Sequence, residues 1–546
     1  MATKTQTKHP AGSTPSSTPL AWWRTAVIYQ IYVRSFYDSN GDGVGDIRGI
    51  IEKLSYIADL GVDAIWLSPV TVSANGDWGY DVIDYYNIDP TLGTMDDYDQ
   101  LIAEAGQRGI RVIMDLVPNH TSTKHPWFLN ALTGKQAEYR GYYLWADPKP
   151  DGRPPSNWRA YGGGSAWGYH SPSGQYYLHS YFPVQADLNW RNPAVREEFE
   201  KIMNYWLDRG VAGFRLDVFN SIVKDATFRD NPKATKADGI EEIILGQRTL
   251  YNISQPETHD IVKRWREIAD SHDAVLLGET AYTSDIKRTA LFYGKHHDEL
   301  QLIMNLKFLH SPFTAPVKRA VVEETERVVK YPDWPVWTGS NHDEKRFPTN
   351  WANGDERKIR CAMLMLLCLR GTPILYYGDE IGMERVFIAP WRMKDPRGRR
   401  NWPVDGGRDR FRTPMQWKNQ YGAGFTRTDQ RPWLPYGDLR ERSVENQLES
   451  NDSTLQFAKD LLALRKRETS LQAGDYETVT DPAEAVWAWR RGDDFLVALN
   501  LSNHHQEIKH TSGEIALSTL RSREGDELNG LLHLDPWEGV VVRRRS

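Results

Sequence analysis

From Val27 onward, short runs of β-branched and aromatic residues alternate with stretches in which apolar positions recur every three or four residues. Runs of the first kind predict strands and stretches of the second predict amphipathic helices. Eight strand candidates follow in order: VIYQIYV, AIWLSPV, RVIMDLV, GFRLDVF, AVLLGET, LIMNLKF, PVWTGSN and PILYYGD. Helical patterns lie between them, for example over 47–60, 95–108, 194–208, 257–270 and 354–370. Eight strands joined by crossover helices predict an α/β chain of the (β/α)8 TIM-barrel class, whose chemistry gathers where the strands end.

The pattern breaks in three places. Between RVIMDLVPNH and GFRLDVF the chain is rich in Gly, Pro, Trp and Tyr over roughly 121–190, too long for a simple barrel connection. It predicts an inserted subdomain after strand 3, overhanging the mouth. A second irregular stretch, 384–450, is rich in Arg, Pro and Gly. After about 475 the spacing shifts to short alternating strands (AVWAWRR, DFLVALNLS, GVVVRRR), predicting a C-terminal antiparallel β-sandwich. The expected organisation is a disordered polar tail over 1–20, a barrel over 21–120 and 191–470, the insertion over 121–190 and the β-sandwich over 471–546.

Composition narrows the class of function. The formal net charge of -6 gives no basic footprint for nucleic acid. The 21 Trp and 26 Tyr exceed what a core needs and suit flat contacts with sugars. The apolar run between Arg360 and Arg370 is far shorter than the roughly 20 residues of a membrane span, so it predicts a core helix. Cys361 and Cys368 share that helix. Seven residues of helix separate them by roughly 10 Å, beyond disulfide reach. With no signal-peptide pattern at the N-terminus, a reduced, cytoplasmic setting is expected.

The strand ends carry the chemistry. DLVPNH ends in His120, GFRLDV holds Arg215 and Asp217, LGET holds Glu279, and SNHD ends in His342 and Asp343. On a barrel, three carboxylates, two histidines and an arginine from strand C-termini converge on one mouth, as a glycosidase requires. Separately, DSNGDGVGD places Asp38, Asn40, Asp42 and Asp46 at positions 1, 3, 5 and 9 of a calcium-type loop, with Gly43 at the turn. Gly49 stands where an EF-hand has its closing Glu, no second such loop occurs, and a strand pattern precedes it. A calcium sensor is therefore not expected.

DLVPNH, GFRLDV, LGET and SNHD resemble, in order, the four signature regions of the α-amylase superfamily. VIYQIYVRSF, QADLNW and RTPMQW make the chain similar to its oligo-1,6-glucosidase and α-glucosidase branch over about residues 20 to 546. The resemblance implies retaining double displacement, with Asp217 as nucleophile, Glu279 as acid/base and Asp343 gripping sugar hydroxyls. Chemistry supports these roles. Arg215, on the same side of the strand as Asp217, can hold it ionised, whereas neighbouring carboxylates and burial should raise Glu279. His120 and His342 would donate to hydroxyls of the same ring. In DWGYDVIDY, Asp77 and Tyr80 match the family's aspartate and stacking tyrosine at the first glucose pocket. Arg408, in preference to Arg412, matches the arginine that pairs with that aspartate and closes the pocket behind one glucose.

The resemblance also implies that Val218, after the nucleophile, favours α-1,6 bonds. Two departures bear on this: Tyr161 and Tyr181 stand where relatives carry phenylalanine, and Ala186 follows Gln185 where QPDLNW has proline. Both leave open a broad or α-1,4-preferring enzyme with transglucosylation, or a sucrose- or trehalose-acting isomerase, although the RLDRD loop of many sucrose isomerases is absent. By the same resemblance, loop 38–46 holds a structural Ca2+ (Mg2+ is the other ion it suits), with Val44 contributing its carbonyl. A solvated acidic turn is the alternative. No catalytic cofactor is implied. The expected partner is a small oligosaccharide, with neither nucleic acid nor membrane, for a monomer or homodimer.

Overall fold

A computed structural model describes residues 20–236, 238–281, 285–481 and 484–545. The tail expected over 1–20 lies outside the described residues except for Leu20. The eight strands are β1 (Ile28–Ile31), β2 (Ala64–Leu67), β3 (Arg111–Leu116), β4 (Gly213–Leu216), β5 (Val275–Gly278), β6 (Leu302–Met304), β7 (Trp334–Thr338) and β8 (Thr372–Tyr376). They hydrogen-bond in chain order and β8 returns to β1, closing a parallel barrel.

Period-two alternation divides each strand between two cores. Ile28, Trp66, Ile113, Leu277, Val336 and Ile374 point inward and fill the barrel, with Trp23 packed against them. Tyr29, Ile65, Leu67, Met114, Phe214 and Leu276 point outward into the larger core under the helices. Two residues further along the same inward faces stand Gln30, Asp115 and Glu279, and Asp217 follows Arg215 in the same way. The barrel is thus plugged with apolar side chains at its base and lined with polar ones at its mouth.

The expected helices appear with small changes. Positions 47–60 form two helices, Ile47–Glu52 and Leu54–Leu60, meeting at Lys53. Thr94 and Asp97 form a reciprocal cap at the start of Met95–Gln107. The helix Glu356–Cys368 is almost wholly buried, and Cys361 and Cys368 are unpaired thiols. Among the described residues no helix is long and apolar enough to cross a membrane.

The insertion has its own small core of Trp158, Ala160, Ala166, Trp167 and Leu178. It is tied back to the barrel by Gln185–Asp187, which pairs antiparallel with His120–Ser122. A buried ion pair reinforces the tie: Lys224 Nζ reaches Asp187 at 2.7 Å and donates to Asn119 Oδ1 at 2.6 Å.

The C-terminal strands are β9 (Tyr476–Thr478), β10 (Val486–Arg491), β11 (Phe495–Asn500), β12 (Gln506–Ser518), β13 (Glu527–Leu534) and β14 (Gly539–Arg544). They are antiparallel, as expected, and hydrogen-bond as one six-stranded sheet. Both faces bury apolar residues. Trp487, Trp489, Val497 and Val541 join the barrel's outer core, while Ala488, Leu496, Ile515, Leu532 and Val540 form a separate cluster. Arg491 and Trp489 both donate to the carbonyl of Cys368, satisfying the end of the buried helix with groups from the sheet.

Candidate active site

The ladder that closes the barrel also places the acids. Arg215 is in register with Asp115 on β3 and Leu277 on β5. Beyond the strand ends, Asp217 N–H donates to Leu116 O at 2.9 Å and Glu279 N–H to Leu216 O at 3.1 Å. Three carboxyls therefore meet one fully buried guanidinium. Arg215 Nη1 donates to Asp115 Oδ1 and Asp217 Oδ1, both at 2.8 Å, and Nη2 donates to Glu279 Oε2.

One guanidinium cannot neutralise three carboxylates in a dry site, so protons are retained among them. Burial pushes Asp115 up to about 6 and Glu279 up to about 7, each partly offset by Arg215. Asp217 is also raised: burial and the charges of Glu279, Asp115 and Asp343 outweigh Arg215. The rise at Glu279 matches the sequence reading. The direct pairing of Arg215 with Asp217 expected from the sequence is present at 2.8 Å, and Arg215 is shared with two further acids.

Asp343 behaves oppositely. Burial would raise it, but His342, Arg408 and Arg412 together hold it well below the usual carboxylate range. Burial also drives His342 down to about 4, so its 2.9 Å contact with Asp343 is a neutral hydrogen bond, and the charge comes from the arginines. Arg412 Nη2 and Arg408 Nη1 donate to Asp343 Oδ1 at 2.7 Å and 3.1 Å.

Both histidines are engaged by protein groups. His342 Nδ1 meets Gln30 Nε2 at 2.7 Å, and its Nε2 lies 2.5 Å from the Tyr80 hydroxyl. His120 Nε2 bonds the Tyr80 carbonyl at 3.0 Å while Nδ1 meets Asn119 Nδ2 at 3.1 Å. The Nε2 atoms of both rings thus meet Tyr80, while their Nδ1 atoms meet Asn119 and Gln30. Tyr80 stacks on His342 with centroids 5.3 Å apart and donates to Asp115 Oδ2 at 2.8 Å.

The arginine question resolves geometrically. Arg408 Nη2 donates to Asp77 Oδ1, whereas Arg412 Nε is spent on the carbonyl of His342. Burial still pushes Asp77 up to about 6 against the pull of Arg408. Gln185 Nε2 donates to Asp77 Oδ2 and to the Tyr80 carbonyl, each at 3.2 Å, so it orients the pair. Val218 packs with Tyr181, Phe182 and Ala281 in a small apolar cluster beside Asp217. Its backbone is left-handed (φ 38°, ψ 40°), a strained state for a β-branched residue, of the kind stored at functional turns. Tyr181 bonds Ser221 Oγ at 3.1 Å, and Tyr161 stands at the rim, 41 % exposed.

Sequence reading missed several members. Asp115 was inside DLVPNH, and its place on the inward face two residues after Ile113 was a usable signal. Gln30 follows Ile28 in the same way. Asp395, which bonds Arg408 through Nε at 3.1 Å and Nη2 at 2.7 Å, sits in the irregular stretch where no periodicity marks it.

Loop 38–46 is drawn in on itself. Asp38 accepts from the N–H groups of Gly41 and Gly43, both at 2.7 Å, Asn40 from Asp42 at 2.9 Å, and Asp42 from Val44 at 2.8 Å. Asp46 caps the following helix through Gly49 N–H at 2.6 Å. Gly43 turns at φ +91°, and a Cβ on Gly49 would stand 2.0 Å from the Tyr37 carbonyl, so no closing Glu fits at that position. The donor set is all oxygen, which fits a hard cation. Among the described residues no group of three or more Asp, Glu, His or Cys side chains is gathered for a metal.

The model of the α-amylase catalytic domain matches residues 30–474. This chain belongs to the α-amylase family. It is 38 % identical to trehalose-6-phosphate hydrolase of Escherichia coli K12, over 95 % of this chain and 98 % of that protein. It is 36 % identical to oligo-1,6-glucosidase of Heyndrickxia coagulans, over 88 % of this chain and 92 % of that one. The crystal structure of XgtA, an α-glucosyl transfer enzyme, superposes with a TM-score of 0.90 at 37 % identity, covering 96 % of this chain and 100 % of XgtA. Each of these three matches spans 88 % or more of this chain.

Proposed function

We propose that this α-amylase family member is an exo-acting, retaining α-glucosidase that removes terminal glucose from short α-linked saccharides, with preference for α-1,6 bonds. The observation that carries the reading is the single guanidinium of Arg215, which bridges Asp217 and Glu279. Two carboxyls on one guanidinium suit the short separation of retaining enzymes, about 5–5.5 Å, rather than the wider gap that admits a water. Asp217 attacks the anomeric carbon as Glu279 protonates the leaving oxygen. Glu279 then takes a proton from the water that hydrolyses the glucosyl-enzyme. Asp343, held ionised, grips hydroxyls of the reacting ring, and Tyr80 supplies its stacking face. The pair of Asp77 and Arg408 closes the pocket behind one glucose, which makes the action exo. Val218, with Tyr181, Phe182 and Ala281, walls the acceptor side and supports the α-1,6 preference.

Product analysis on isomaltose, maltose, sucrose, trehalose and trehalose 6-phosphate tests the reading. Glucose should appear fastest from isomaltose. Faster release from maltose or sucrose would overturn the α-1,6 preference alone, and internal fragments from a long maltooligosaccharide would overturn exo action.

A Ca2+ or Mg2+ ion in loop 38–46, held by Asp38, Asn40, Asp42, Asp46 and the Val44 carbonyl, belongs to the same proposal. It would stiffen the loop and supply no chemistry. Its support is the run of oxygen side chains around the Gly43 turn. Adding Ca2+ to chelator-treated protein should raise Tm, and Asp42→Ala should abolish the rise. A wild-type Tm indifferent to Ca2+, Mg2+ and chelator would leave the loop as a hydrogen-bonded turn. A cytoplasmic setting, read from two buried unpaired cysteines, completes the proposal.

A further inference from the structure

Tyr161 belongs to the insertion after β3, and Arg397 to the short helix Pro396–Asn401 in the segment after β8. The two reach the barrel mouth from different segments and meet. Arg397 Nη1 donates to the Tyr161 hydroxyl at 2.8 Å, and the guanidinium carbon lies 5.1 Å from the centre of that ring. Its other edge is fixed by Asp405, which accepts from Nε at 2.6 Å. A guanidinium bonded on two edges and set against an aromatic ring is held more firmly than by a single bond.

The backbone under this bridge is shaped for close approach. Gly163 and Gly164 are both left-handed, at φ +90° and +83°, and a Cβ at Gly164 would stand 3.0 Å from Arg400 Nη2. The helix carrying Arg397 begins at Asp395, which caps it through Arg397 N–H at 3.2 Å and whose carboxylate also holds Arg408. The bridge is therefore anchored to the same acid as the ion pair that closes the glucose pocket. Tyr161 in turn lies 6.0 Å from the ring of Tyr181, a member of the acceptor-side cluster. The bridge extends that wall outward to the rim.

We infer that Arg397 sets the length of saccharide accepted on the leaving-group side, by holding Tyr161 across the mouth so that the cleft ends after the second sugar. This inference rests on the exo-glucosidase reading proposed above. A disaccharide fits inside the bridge. A trisaccharide has to displace a guanidinium that already has two partners, and its binding is weakened accordingly.

The test compares isomaltotriose with isomaltose in wild type, Arg397→Ala and Tyr161→Phe, each kcat/KM divided by that for 4-nitrophenyl α-glucoside on the same preparation. The ratio of trisaccharide to disaccharide should rise by at least about tenfold in Arg397→Ala, within the range that one pocket contact contributes to discrimination. It should rise less, in the same direction, in Tyr161→Phe, with the change in KM for the trisaccharide. Disturbed packing alone would lower all substrates together and leave the ratio unmoved. An unmoved or reduced ratio overturns the inference and leaves the glucosidase reading intact. A wild-type enzyme that cleaves the aryl glucoside but releases glucose from neither saccharide overturns both.

Discussion

Asp217→Asn is expected to abolish turnover, lowering kcat/KM by on the order of 10^4–10^6, the size of loss that follows removal of a residue forming a covalent intermediate. Asn keeps the shape of the side chain but cannot form the ester. The fold should survive, because Arg215 retains Asp115 and Glu279 as partners and the barrel ladder does not use the Asp217 carboxylate. Unchanged circular dichroism with no fall in Tm separates the loss from misfolding. In Asp217→Ala, which empties the face that Asn still fills, azide should restore cleavage of an activated aryl α-glucoside and yield β-glucosyl azide. Activity within tenfold of wild type would remove Asp217 as the nucleophile.

Glu279→Gln should act selectively. On a disaccharide, whose leaving oxygen needs a proton, the loss in kcat/KM should be on the order of 10^2–10^4. On an aryl glucoside with an acidic leaving group the loss in the same parameter should be small. The pH profile carries a second signature. With Glu279 pushed up to about 7, its proton is present below that pH and lost as pH rises through it. Wild-type kcat/KM on a disaccharide should therefore fall on the alkaline side near neutrality, and the Gln variant should lack that limb on the same disaccharide. Equal losses on both substrates would contradict the acid role.

The two carboxyls illustrate why position was easier to read than charge. Their places follow from period-two alternation: Asp217 and Glu279 each stand two residues beyond an inward-facing neighbour at a strand end, and both were legible in the sequence. Their protonation depends on how many acids share Arg215, which only the closed barrel reveals by bringing Asp115 from β3 to the same guanidinium. The histidines follow the same logic. His120 and His342 were found at strand ends, but their bonds to Tyr80 and Gln30 come from residues distant in sequence.

The eight strands were legible because each is short, apolar and bounded by turn residues. The stretch 384–450 was not, because it has no sustained period, and so Asp395 and Arg397 were invisible until the chain was folded. Arg408 was found through its motif, and its pairing with Asp77 spans 331 residues of chain. The left-handed turn at Val218 had no sequence signal either, since β-branched residues rarely adopt it.

The most direct measurement of the proposed chemistry is the anomer of glucose released first from 4-nitrophenyl α-glucoside, whose leaving group is not a sugar, followed by proton NMR before mutarotation. Double displacement through Asp217 predicts that α-glucose appears first and β-glucose only as the sample mutarotates. Initial release of β-glucose would mean a single displacement by water, and would contradict the role of Asp217 as a nucleophile.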